Sequence, residues 1–267
     1  MRIKIVLKQR RKVEELPINT GYLIASSIYH TLSLASESYA TDLHEIGYGK
    51  QGERRHFKHF TFSNIQFPKK EIHKEKIISY SNYIFFMISS PKEEFLQNLV
   101  MGLFQDGLFR IAQSYFEKEL IETLPEPIFE NKMSFSMMSP LTLSISENVE
   151  NGVRRKHYLR AHDERFPILI RQNLMAKYES LTGENFGFDE ADFQFEFDQA
   201  YIQKQEKKGR SIEKLITIAA GSEKQTRIKA LECPFTITAH PELIKIGYEC
   251  GFGDSNSMGF GMVKEMK

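Results

Sequence analysis

Cysteine is scarce in this chain: Cys233 and Cys250 are the only two among 267 residues. Their spacing makes no metal-binding pair, and two thiols cannot staple a secreted chain of this length, so a reducing cytoplasm is the expected setting. Long apolar runs are missing as well. No stretch approaches the ~18 apolar residues of a membrane span, and the N-terminus alternates charge with apolarity instead of forming a secretory core. No membrane partner is expected. Charge of one sign is not in excess either. The net charge is +1, which excludes a protein-wide positive field of the kind that draws in nucleic acid, so evidence for such a partner must be local.

Local clustering is present. Lys8, Arg10, Arg11 and Lys12 form one basic run, and Arg54, Arg55, His56, Lys58 and His59 a second. A third comprises Arg154, Arg155, Lys156, His157 and Arg160, and a fourth Lys204, Lys207, Lys208 and Arg210. Taken singly, each reads as a solvated face. With 41% hydrophobic residues, the chain can fill two cores of ordinary domain size, about 100 to 150 residues each.

Periodicity divides the chain into two similar halves. Arg2 to Leu7 alternates as a strand, and a helix follows with Ile24, Ile28 and Leu32 on one face. Phe60 and Phe62 alternate within a second strand, and Ile77 to Ile88 is a β-branched and aromatic run suited to a buried one. Ser90, Pro91 and Glu93 predict a capping box for a helix through Leu103, ended by Gly107, and Leu108 to Tyr115 returns as a strand. This is β-α-β-β-α-β, the ferredoxin-like order. The second half repeats it with extra strands: Met133 to Ile145, a helix over Pro167 to Leu181, a strand around Phe193, Phe195 and Phe197, a hairpin tip at Lys207 to Gly209, strands over Ile212 to Ala219 and Ile228 to Ala239, a helix from Pro241, and a closing strand over Gly259 to Lys264. The fold class expected is α+β, two tandem ferredoxin-like (RRM-like) domains, residues 1–122 and 123–267.

The segment from Gly251 to Gly261, Gly-Phe-Gly-Asp-Ser-Asn-Ser-Met-Gly-Phe-Gly, carries four glycines in eleven residues. Glycine lets backbone amides approach an anion closely and accepts positive φ, while Ser255, Asn256 and Ser257 add hydrogen-bonding side chains. One glycine would suffice for a tight helix-to-strand connection capped at Gly251. Nucleotide-binding loops match poorly, because no Gly-Lys-Ser/Thr ending follows and the loop leaves a helix to enter a strand.

This motif, its place before the final strand and the duplicated plan resemble the RAMP superfamily of CRISPR-associated proteins, in particular the family that cuts CRISPR precursor transcripts inside each repeat. Ser139-Pro140-Leu141 resembles that family more weakly. The resemblance implies an endoribonuclease that binds CRISPR repeat RNA without a metal or other cofactor. It also implies possible partners among CRISPR effector-complex subunits and leaves monomer or homodimer open. RNA contacts are expected from Gly251, Gly253, Ser255, Asn256, Ser257, Gly259 and Gly261, with Arg154, Arg155 and Lys156. A side chain at Gly253 or Gly259 is expected to block the RNA backbone.

The archaeal members carry a Tyr, a His and a Lys in the relative places of Tyr29, His44 and Lys50 here, the histidine again within Leu-His-Glu. A 2′-hydroxyl attacking its own phosphate needs a base, an acid and positive charge, but no metal. His44, on an expected Gly-flanked loop, can accept or donate a proton; Tyr29 acts as a base only if a cation such as Lys50 lowers its pKa. Tyr29 also shares a face with Ile28 and Leu32, as a core tyrosine would. Neither His56 with His59 nor His157 with His162 has a third ligand at metal-site spacing, so no catalytic ion is expected. Two other readings are a non-catalytic RNA-binding subunit of an effector complex and an enzyme whose glycine loop holds a small phosphorylated ligand.

Overall fold

A computed structural model describes residues 1–48, 56–148, 154–187, 192–220, 223 and 225–266. The first half contains β1 (Arg2–Gln9), β2 (Glu14–Pro17), α1 (Gly21–Ala35), α2 (Glu37–Glu45), β3 (Thr61–Phe62), β4 (Lys70–His73), β5 (Lys76–Ser79), β6 (Tyr83–Ser89), α3 (Glu93–Gln105), β7 (Leu108–Ile111) and β8 (Ser114–Leu124). The second contains β9 (Lys132–Met137), β10 (Ser144–Asn148), β11 (Arg154–Tyr158), α4 (Phe166–Thr182), β12 (Gln194–Phe197), α5 (Gln199–Glu206), β13 (Glu213–Ile218), β14 (Thr226–Leu231), β15 (Phe235–Thr238), α6 (Pro241–Cys250) and β16 (Val263–Glu265).

Each half is built on an antiparallel ferredoxin-like sheet. The first runs β3-β6-β1-β8, extended at its edge by β7, and the second runs β12-β15-β9-β16. In both, the order of the four shared strands is second, third, first, fourth, so the halves are tandem copies of one topology. Alternation along β1 turns Ile3, Ile5 and Leu7 inward, where they meet Ile84, Phe86 and Ile88 of β6. The buried stripes of α1 (Ile24, Ile28, Leu32) and α3 (Phe95, Leu99, Leu103) cover that face. The second core joins Phe135, Phe195, Phe235 and Ile237 to Ile170 and Leu174 of α4 and Leu243 and Ile244 of α6. Each such side chain contributes about 1.5 to 3 kcal/mol by leaving water.

Several local expectations change. The run Ile77 to Ile88 splits into β5 and β6, which lie in different sheets, because β5 pairs with β2 and β4 in a small three-stranded sheet. The first unit closes on β8, and Leu108 to Ile111 is only the other arm of its hairpin. The division drawn at 122/123 falls near the end of β8, which pairs with β1 as far as Arg2 opposite Leu124. Ser90 is not the cap of α3: its hydroxyl donates to the His59 carbonyl at 2.7 Å and accepts from Lys92 N–H, and the helix begins at Glu93. Lys207 to Gly209 end α5, whose N-cap is Asp198 accepting from Tyr201 N–H. Met133 to Ile145 is two strands, β9 and β10, in separate sheets, and Ile228 to Ala239 is likewise two, β14 and β15.

The two units are bonded across a polar and aromatic junction. Arg2 of β1 is buried, stacks on the Tyr248 ring with its guanidinium carbon 3.6 Å from the centroid, and donates to the carbonyls of Val263 and Tyr248 at 2.7 and 2.9 Å. Thr61 donates to the Phe260 carbonyl at 2.9 Å, and Asn64 N–H to the Met138 carbonyl at 2.9 Å. This junction fixes where the C-terminal loop lies.

Candidate RNA-cleaving site

The loop from Gly251 to Met262 leaves α6 and folds back on Ser139 to Thr142. Gly261 N–H donates to the Pro140 carbonyl at 2.9 Å, Asp254 N–H to the Thr142 carbonyl at 2.8 Å, and Met262 N–H to the Ser139 hydroxyl at 2.9 Å. Inside the loop, Asn256 donates through its amide to both the Phe252 and Phe260 carbonyls at 3.0 Å, and residues 256–258 make a single 3₁₀ turn. Below lies Lys177 of α4, 1% exposed. Its ammonium donates to the carbonyls of Gly251 and Gly253 at 2.6 and 2.8 Å and to Asn256 Oδ1 at 2.8 Å, which is three acceptors for three N–H groups.

The four glycines make room for the protein itself. A Cβ on Gly261 would stand 1.9 Å from the Phe252 carbonyl oxygen, one on Gly253 2.3 Å from that of Thr142, and one on Gly259 2.6 Å from the Phe62 ring. All three have positive φ. Their side-chain directions therefore face the chain, in place of the RNA backbone anticipated for Gly253 and Gly259.

Tyr29 and His44 come together. Tyr29 lies midway along α1 and His44 in the last turn of α2, and their rings meet edge to face with centroids 4.9 Å apart. The expected loop around His44 is a helix, started by Ser36, whose hydroxyl accepts from Tyr39 N–H at 3.3 Å. Only Ala40 and Leu43 of α2 are buried, too thin an apolar stripe to announce a helix by periodicity. His44 is exposed and Tyr29 half-buried against the core, 6.0 Å from the Phe60 ring. Burial pushes the Tyr29 phenol up to about 12, opposed by a hydrogen bond with the Ser257 side chain. With its pKa raised, Tyr29 is protonated at neutral pH. Lys50 lies outside the described residues.

Two further groups stand beside this pair. Lys58 donates to the Leu43 and His44 carbonyls, the latter at 2.7 Å, so its ammonium sits at the negative end of α2. His59 is buried with positive φ; its Nε2 is 3.1 Å from Ser180 Oγ and its Nδ1 3.5 Å from Cys250 Sγ. Burial, with Lys92 and Lys177 nearby, lowers its pKa to about 3. Lys58 and His59 belonged to a basic run that read as solvated surface. Lys177 had a clearer signal, being a lysine three residues after Leu174 on the apolar face of a helix.

A polar cleft of about 720 Å³ opens between the units, with Lys58, His59, Lys156, Lys177 and Ser255 to Ser257 among its lining residues. Of these, Lys58 bonds the backbone carbonyl of His44. The cleft carries at least one exposed ammonium, that of Lys156, and neither the Tyr29 nor the His44 ring is among its lining. Arg154 and Arg155 lie in the backbone of β11, and their side chains fall outside the described residues. No cluster of three His, Cys, Asp or Glu side chains with metal-site geometry occurs among the described residues. No helix among them is long and apolar enough to cross a membrane.

Sequence and structure comparisons agree on one relationship. The family model for the N-terminal part of CRISPR-associated protein Cas6 matches residues 15–122, and the model for its C-terminal part matches residues 123–265. A CRISPR-associated endoribonuclease Cas6 of Methanocaldococcus jannaschii is 34% identical over 98% of this chain and 92% of its own length. A CRISPR-associated endoribonuclease Cas6 of Pyrococcus furiosus is 27% identical over 98% of this chain and 88% of its own. The solved structure of a Cas6-related protein of Pyrococcus furiosus superposes with a TM-score of 0.81 at 26% identity, covering 100% of this chain and 98% of that one. The chain belongs to the Cas6 family of CRISPR-associated proteins.

Proposed function

We propose that this protein cuts CRISPR precursor RNA within its repeats, without a metal, by attack of a 2′-hydroxyl on the adjacent phosphate. The observation that carries this reading is the 4.9 Å contact between Tyr29 and His44; a polar cleft lined by Lys58 and Lys156 lies between the two RRM-like units. The relatives named as endoribonucleases support the activity, and the paired phenol and imidazole support cutting over binding alone.

The raised pKa of the Tyr29 phenol supports the acid's role for Tyr29, which leaves the base's role to His44. His44 takes the proton of the attacking 2′-hydroxyl, the new bond to phosphorus forms, and the bond to the 5′-oxygen breaks as Tyr29 donates its proton there. The products are a 2′,3′-cyclic phosphate and a 5′-hydroxyl. Return of the proton from His44 to the Tyr29 phenolate, its ring neighbour, resets the pair. Positive charge for the phosphorane is assigned to Lys50 by its spacing and to Lys58 by its place at the end of α2. The RNA backbone crosses the cleft over Ser255 to Ser257 and the basic strand at Arg154 to Lys156.

The test uses repeat transcripts with a single 2′-deoxy nucleotide just upstream of the cut, in EDTA. Unmodified RNA is expected to be cut in EDTA and the deoxy substrate to be bound but left intact. Cleavage of the deoxy substrate, or dependence on added divalent ions, would overturn the mechanism.

A further inference from the structure

His59 combines a strained backbone with a place on the seam between the units. It is 3% exposed and has a φ of 49°. A left-handed backbone at a residue with a side chain persists only where the surroundings hold it. Here the second unit holds the side chain. The Ser180 hydroxyl of α4 donates to the Tyr48 carbonyl at 3.2 Å, so its oxygen accepts from His59 Nε2–H at 3.1 Å. That leaves Nδ1 as the acceptor. The Cys250 thiol at the end of α6, its pKa pushed up to about 12 by burial, donates to Nδ1 at 3.5 Å. The first unit holds the backbone, through the Ser90 hydroxyl donating to the His59 carbonyl at 2.7 Å.

Two stretches of chain converge on this anchor. Tyr48, which Ser180 bonds, exchanges backbone hydrogen bonds with Phe57 at 2.7 and 3.0 Å. Lys58 precedes His59 and donates to the Leu43 and His44 carbonyls, the latter at 2.7 Å. A continuous path therefore runs from α4 and α6 through His59 to Lys58, and from Lys58 to the last turn of α2.

We propose that His59 is a positioning residue for His44: anchored in the second unit by Ser180 and Cys250, it fixes Lys58 and through it the end of α2. Only Ala40 and Leu43 of α2 are buried, so the packing of this short helix leaves its last turn dependent on the carbonyl contacts that Lys58 supplies. The imidazole that takes the proton is therefore placed by the seating of one unit on the other. Ser180 and Cys250 contribute to cutting through His59, without touching the reacting atoms. This inference rests on the proposed ribonuclease reading, and the experiment separates the two.

The test combines RNA-free spectroscopy with single-turnover cleavage on the full chain. The variants are Ser180→Ala, Ser180→Thr and His59→Asn; asparagine tolerates positive φ but is too short to span Ser180 and Cys250. The ring resonances of His44, assigned with His44→Ala, report its edge-to-face contact with Tyr29. They are expected to move in Ser180→Ala and His59→Asn and to return toward wild type in Ser180→Thr, which keeps the hydroxyl. In cleavage, Ser180→Ala is expected to slow the rate about threefold to tenfold, the range of one hydrogen bond. Repeat-RNA affinity should stay within about twofold, because Ser180 is not among the residues lining the cleft. In a His59→Asn background the same substitution should cost little further. His44 resonances unmoved by Ser180→Ala, or rate losses that multiply in the double variant, would overturn the proposal while leaving the ribonuclease reading intact. Failure of the wild type to cut repeat RNA overturns the ribonuclease reading, and the His44 resonances still decide whether the second unit places that ring. If His59→Asn does not fold, the two Ser180 variants decide the question by resonance and rate.

Discussion

Tyr29 and His44, fifteen residues apart in the chain, meet edge to face because α1 and α2 turn back on each other at Ser36. With its pKa raised to about 12, the phenol can give a proton at neutral pH but not take one. A substrate with sulfur in place of the bridging 5′-oxygen has a leaving group that needs no acid. Tyr29→Phe is therefore expected to cut this substrate near the wild-type rate while losing at least about a hundredfold on normal RNA. His44→Ala should stay slow on both. Rescue of His44→Ala in place of Tyr29→Phe would reverse the two roles.

Valine at Gly261 would drive its Cβ to 1.9 Å from the Phe252 oxygen at a φ of 75°. The same change at Gly253 meets the Thr142 oxygen at 2.3 Å. Each is expected to destabilise the fold by roughly 2 to 4 kcal/mol, seen in urea unfolding without any RNA. Stability equal to wild type with only RNA affinity lost would show that the loop had opened toward the ligand.

Acid should loosen the junction through His59. Its imidazole, lowered to about 3 in the fold, stays neutral where an unfolded histidine, near ~6.5, becomes charged. Unfolded chains therefore bind the extra proton between these values. The contribution is complete above about pH 6.5 and is lost progressively as pH falls toward about 3. Urea midpoints should fall between about pH 7.5 and about pH 4.5, and His59→Gln should flatten that dependence. An unchanged slope in the variant would place the proton uptake elsewhere.

Lys156 lines the cleft from β11 and is exposed. If it meets phosphate, Lys156→Ala should weaken repeat and unrelated RNA alike by a few fold. It should also reduce the dependence of log affinity on log salt by about one, measured from about 50 mM to about 200 mM. Weakening confined to one RNA sequence would mean that Lys156 reads a base.

Most of the frame was legible because it is written in period. Alternation in Arg2 to Leu7 and the stripe Ile24, Ile28, Leu32 follow from core burial, so both ferredoxin-like orders could be traced. The meeting of Tyr29 and His44 was suggested by family spacing, not by geometry. What escaped depends on partners distant in the chain. The hold of Lys177 on Gly251, Gly253 and Asn256 spans more than seventy residues. The helix α2 escaped for a local reason, since a stripe of two buried residues leaves periodicity nothing to detect.

The glycines that mark the C-terminus are fitted against Phe252, Thr142 and Phe62 of the same chain. A descendant that replaced Tyr29 and His44 would still need every one of them to close the loop over Lys177 and seat the second unit on the first. The motif is therefore tied to the architecture and not to the chemistry. A match to the stretch from Gly251 to Gly261 thus reports how the two units are seated, and the chemistry has to be read from other residues.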